Sequence, residues 1–197
     1  MGGSTVRLAV TAALILLGCG AMVGCGPGSV RHELRTGALF PTLGPLSSCR
    51  VTPGPVELIR GHVVLVEVEG QRTVRRIVGL PGDTVSVAGG VLHIGGKTTE
   101  LTETTARAVC MAGASPRCPC RIHVEAIGDR KVPVQSLTRV AGVRDVRCQP
   151  SPGAREVTVP AGHVYVLADN RDAAIDSRHL GPLPLGRLLG RVVACKR

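Results

Sequence analysis

Arg75-Arg76-Ile77-Val78-Gly79-Leu80-Pro81-Gly82-Asp83 restricts the fold more than any other stretch of the chain. The apolar strand end Ile77-Val78 runs into a tight turn. Pro81 presets φ at the second turn position, and Gly82 supplies the positive φ that a type II turn needs at the third. The alternation Thr84-Val85-Ser86-Val87 then starts a new strand. A strand, a tight turn and a second strand in so few residues point to a β protein with short connections.

Other segments agree. Val63-Val64-Leu65-Val66 is an unbroken apolar run, which suits a strand covered on both faces, and Gln71–Val78 is its natural partner. Gly89 to Lys97 is a short strand between glycine turns and reads as part of a β-hairpin. Pro160-Ala161-Gly162 is a turn leading into the apolar strand His163–Ala168. Phe40 and Tyr165 are the only aromatic residues, and Trp is absent, so the core must be built from Val, Leu, Ile and Ala.

Leu8 to Val23 is almost wholly apolar and follows Arg7. A basic start before such a run is the layout of an export signal. Its length lies between that of a cleaved signal and a span, which needs about 20 apolar residues. Leu16-Leu17-Gly18-Cys19 and Met22-Val23-Gly24-Cys25 both have the form of a lipidation box, so Cys19 or Cys25 is a candidate lipid anchor. The alternative is that both are apolar thiols in a retained span. Beyond them lie Cys49, Cys110, Cys118, Cys120, Cys148 and Cys195. Six cysteines behind an export signal imply an oxidising compartment and up to three disulfides, with 15 possible pairings. Cys118-Pro119-Cys120 is one residue too short for a zinc knuckle, and no His stands at a useful spacing, so no metal or other cofactor is expected.

The net charge is +10. Its Arg residues are scattered, without stacking aromatics among them, which argues against nucleic acid and in favour of anionic lipid or no partner.

Several runs resemble the type I signal peptidases, or leader peptidases, a family of Ser/Lys serine endopeptidases. Residues 75–83 are similar to its "K-R-x-x-G-x-P-G-D" box, with Pro81, Gly82 and Asp83 at the turn. Asp169-Asn170-Arg171-Asp172-Ala173-Ala174-Ile175-Asp176-Ser177-Arg178 resembles "D-N-R-D-N-S-x-D-S-R". Thr36-Gly37-Ala38-Leu39-Phe40-Pro41-Thr42-Leu43 resembles "S-G-S-M-x-P-T-L". Arg60-Gly61-His62 resembles "R-G-D", with His62 for Asp; a lone His there reads as a surface or turn residue. The resemblance implies a mainly β fold: a coiled antiparallel sheet core with a small disulfide-bearing insertion and an N-terminal membrane-targeting segment. Residues 1–25 are the export signal or anchor and 26–35 a linker. Residues 36–97 and 157–197 are the two parts of the core, and 98–156 the Cys-containing insertion.

In the family a Ser hydroxyl attacks the scissile carbonyl and a neutral Lys takes its proton. Carried over by position, the nucleophile is Ala38, the base Arg75, the base-orienting residue Ala174 and the oxyanion residue Thr36. A methyl group cannot attack, and a guanidinium keeps its proton. Thr36, two residues before Ala38, shares its face if the segment is a strand. Ser47 and Ser48 follow too late, in a loop. Asp169, Asn170, Arg171, Asp172, Asp176, Ser177 and Arg178 are expected to form a structural active-site loop. The first expectation is a cell-envelope protein, folded outside the cytoplasmic membrane and tethered to it. It recognises signal peptides or preproteins without catalysis, with an active relative as a further partner. The alternative is an active signal peptidase I processing secretory preproteins.

Overall fold

The computed structural model describes residues 28–34, 37–44, 47–104, 120–137, 153–172 and 174–196. It is mainly β, and the strand ladders within its sheets are antiparallel. The largest sheet has seven strands, in spatial order β1 (Val30–Leu34), β2 (Ser47–Pro53), β14 (Leu188–Lys196), β3 (Val63–Val68), β4 (Gln71–Gly79), β12 (His163–Leu167) and β13 (Leu183–Pro184). A four-stranded sheet orders β11 (Ala154–Thr158), β5 (Thr84–Ala88), β6 (Val91–Ile94) and β7 (Lys97–Thr98). A three-stranded sheet orders β10 (Arg130–Leu137), β9 (Cys120–Ile127) and β8 (Leu101–Glu103). One short helix, α1 (Ser177–Leu180), follows β12. Among the described residues no helix is long and apolar enough to cross a membrane.

The turn after β4 forms as its residues dictate. Gly82 has φ +88°, and the Asp83 amide donates to the Leu80 carbonyl at 3.0 Å. Gly89-Gly90 and Gly95-Gly96 all have positive φ and link β5 to β6 and β6 to β7. Ser47 and Ser48 begin β2 and are not in a loop; the Ser47 hydroxyl donates back to the Gly44 carbonyl at 2.8 Å. Residues 38–42 form turns rather than a strand, so a shared strand face does not relate them to Thr36, which lies outside the described residues.

The core is aliphatic, as the shortage of aromatics requires. Val64, Val66, Ile77, Val164 and Val166 pack on one side of the large sheet. Leu39, Cys49, Val51, Leu65 and Val74 form a second cluster. The third joins Val78, Val85 and Tyr165 to Ile127, Val132 and Val134 of the β9–β10 hairpin. The β9–β10 hairpin therefore shares an apolar core with β4, β5 and β12. Cys49 and Cys195 are disulfide-bonded across the β2–β14 ladder, 146 residues apart in sequence. Cys120 is disulfide-bonded as well. Cys19 and Cys25 lie outside the described residues.

Candidate functional site

The turn after β1 holds Ala38 and Leu39 at 1% exposure each. The Phe40 amide donates to the Gly37 carbonyl at 2.9 Å, and the Leu43 amide to the Leu39 carbonyl at 2.8 Å. The Ala38 carbonyl accepts the Asn170 amide at 3.0 Å, which ties this turn to the loop after β12. The Thr42 hydroxyl reaches the Asp169 carboxylate at 2.5 Å.

Arg75 and Arg76 are neighbours on β4, so their side chains leave on opposite faces. Arg76 meets Asp169 at two points and donates to the Gly61 carbonyl at 2.6 Å. Arg75 does something else. Its Nε and Nη2 donate to the Ile175 carbonyl at 3.0 and 2.6 Å. Its Nη1 donates to the Thr73 hydroxyl at 2.8 Å and the Val74 carbonyl at 2.7 Å. Burial pushes the Arg75 guanidinium down to about 10, Asp176 opposes that, and Arg178 adds to it. The group still carries its proton at neutral pH.

The loop 168–178 is held from several sides. Asp169, Asn170 and Arg171 are almost fully buried. The Gln135 amide donates to the Asp169 carbonyl at 2.8 Å, and the Arg171 amide to the Gln135 carbonyl at 2.9 Å. The Arg171 guanidinium pairs with Glu125, and both side chains are buried. Asp172 and Ala174 are half-buried. Ala174 precedes Ile175, whose carbonyl Arg75 holds.

Asp176 caps α1. Its carboxylate accepts the Arg178 amide at 3.1 Å, Arg178 Nε at 2.9 Å, Arg178 Nη2 at 2.8 Å and the Ala168 amide at 3.0 Å. Burial pushes its carboxyl up. The Arg178 hydrogen bonds and charge and the two amides outweigh that and leave it below the ordinary carboxylate range. The Ser177 hydroxyl accepts the Val166 amide at 3.0 Å.

The fold thus brings Ala38, Arg76, Asp169 and Asn170 into contact, and joins Arg75 to the loop of Ala174 through Ile175. The Pro81–Asp83 turn has other partners: the Asp83 carboxylate pairs with Arg60, and the turn exchanges backbone hydrogen bonds with Val159. Thr36 lies outside the described residues. Glu125 and Gln135 were not legible as loop supports, because nothing near them in sequence marks partners as remote as Asp169 and Arg171. Among the described residues no group of three or more His, Cys, Asp or Glu side chains could hold a metal. At Ala38 and Arg75 the available atoms are a methyl group and a donor-only guanidinium.

A family model described as signal peptidase, peptidase S26, matches residues 34–196. The chain is 41% identical over 66 residues to mitochondrial inner membrane protease subunit 1 of Xenopus tropicalis, covering 32% of this chain and 40% of that one. It is 38% identical over 45 residues to the same subunit of Schizosaccharomyces pombe, covering 23% and 29%. It is 29% identical over 140 residues to signal peptidase I of Bacillus licheniformis, covering 68% and 56%. It therefore spans well under two thirds of each of these relatives. A solved signal peptidase I structure from Enterococcus faecalis matches with a TM-score of 0.40 and 21% identity, covering 71% of this chain and 100% of that chain.

Proposed function

The chain belongs to the signal peptidase family, peptidase S26, and we propose that it is a non-catalytic member that receives extended, signal-peptide-like segments of exported proteins. The observation that carries this is the state of Arg75. At the position where the family's base would stand, a protonated guanidinium donates to the Ile175 and Val74 carbonyls and the Thr73 hydroxyl. It has no lone pair with which to take a proton. Ala38, at the nucleophile position, offers only a methyl group.

A docking strand remains. β1 is a terminal strand of the seven-stranded sheet and pairs on one side with β2. It runs almost directly into the turn that holds Ala38. An extended peptide adding to its outer edge would gain main-chain hydrogen bonds there, with side-chain specificity set by alternate positions. The folded part stands outside the cytoplasmic membrane in the cell envelope, tethered by the apolar segment 8–23, close to the exported chains it would meet.

The test is a preprotein with a standard signal peptide, incubated with the full chain in detergent. The expected result is no cleavage, together with saturable binding of the labelled signal peptide by fluorescence anisotropy. Cleavage by the native chain would establish an active signal peptidase I instead. Absence of saturable binding would remove peptide recognition.

A further inference from the structure

A hollow of about 300 Å³ opens between the start of β3 and the bulged strand β14. His62, Arg130 and Arg191 line it, and Arg76 and Thr42 lie at its wall. His62 is not the surface residue its sequence context suggests. It is 8% exposed, and its Nδ1 is buried without a hydrogen-bond partner. Arg130 is exposed, and its stem packs over Gly61, where an added Cβ would stand 2.8 Å from Arg130 Cδ.

The charges here do not balance. Burial lowers the His62 pKa, and Arg191, Arg130 and Arg76 lower it further; Glu57 alone opposes them. Arg76 is committed to Asp169. Among the described residues neither Arg130 nor Arg191 forms a salt bridge. Glu57 is exposed and pairs with neither. Two guanidinium forks around one hollow repel each other and hold the imidazole neutral, and an anion between them would relieve both effects. Guanidinium forks match the oxygens of phosphate, and the volume accommodates a tetrahedral group.

We propose that His62, Arg130 and Arg191 form a binding site for a phosphate-bearing anion, carried by a phospholipid headgroup or free in solution. The site is separate from Arg75 and Ala38 and does not depend on whether the chain cleaves peptides.

The experiment follows the His62 imidazole by NMR in the full chain, with His62→Gln identifying the signal. One arm titrates inorganic phosphate in dodecyl maltoside micelles. The other compares phosphatidylcholine nanodiscs with and without phosphatidylglycerol. A saturable His62 shift is expected in at least one arm. The Arg130→Gln/Arg191→Gln variant should bind at least about tenfold more weakly, about 1.4 kcal/mol or more. Arg155→Gln, which removes an exposed charge on β11, should change affinity less than about twofold. Response to phosphatidylglycerol supports a lipid ligand, and response to phosphate alone supports a solute. No saturable shift in either arm, or undiminished affinity in the double variant, overturns the site.

Discussion

The Arg76 guanidinium meets the Asp169 carboxylate at two points, Nε to Oδ1 at 2.8 Å and Nη2 to Oδ2 at 2.6 Å. Both side chains are buried, so the pair joins β4 to the loop after β12 without competition from water. Removing one partner leaves the other as an uncompensated buried charge. Asp169→Asn is therefore expected to cost about 3–5 kcal/mol in urea unfolding. Arg76→Met with Asp169→Leu should recover at least half of that loss, because no charge is then stranded. A loss under about 1 kcal/mol for Asp169→Asn would mean that the pair behaves like a surface salt bridge.

Asp176 gives stability a pH dependence with a definite sign. Its folded pKa lies below the ordinary value, so its contribution is present above about pH 4. The contribution is lost as pH falls through the lower folded value. Asp176→Asn should be about 3 kcal/mol less stable at pH 7, since Arg178 is left unpaired. The gap in melting temperature between wild type and variant should then close as pH drops from 4 toward 2.5. A gap constant across that range would show that the carboxylate is not what Arg178 and the Ala168 amide stabilise.

What could be read from the sequence was local. The Leu80–Asp83 turn was legible because Pro81 and Gly82 each set their own φ. The glycine pairs flanking β6 were legible for the same reason, and the aliphatic core followed from the shortage of aromatics. Asp176 and Arg178 are two residues apart, so their pairing lay within one motif. Arg171 and Glu125 are not: their contact depends on how the β9–β10 hairpin docks, which no local pattern specifies. The Cys49–Cys195 bond was one of many possible pairings until β2 and β14 became neighbours. The burial of His62 was hidden because Arg130 and the β14 bulge, which surround it, are remote in sequence.

Gly79 is a glycine for a reason outside its own φ. A Cβ there would stand 2.7 Å from Val85 Cγ2 and 2.9 Å from Tyr165 Cβ. β4, β5 and β12 approach too closely at this point for even one methyl group. Gly79→Ala is expected to cost about 1–3 kcal/mol by overpacking. The loss should shrink when Val85→Ala is added, which separates crowding from a backbone effect. Thermal unfolding of the single and double variants decides it; equal losses in both backgrounds would rule out the Val85 contact as the cause.

The Ala38 and Arg75 positions can be separated by restoring one group at a time. Ala38→Ser alone adds a hydroxyl and no base, because the Arg75 guanidinium stays protonated at pH 7. It is expected to remain inert to a serine-directed acylating probe and to preprotein. Arg75→Lys changes the electrostatics. An ammonium cannot reproduce the two-point hold on the Ile175 carbonyl, and the burial that presses Arg75 down to about 10 would press a lysine below its ordinary value of about 10.4. With Ala174→Ser nearby to orient it, such a lysine can act as a general base. The variant carrying all three changes should therefore cleave preprotein at least about a hundredfold faster than Ala38→Ser, since nucleophile and base act as a unit. Equal rates in the two variants would mean that position 75 does not communicate with position 38.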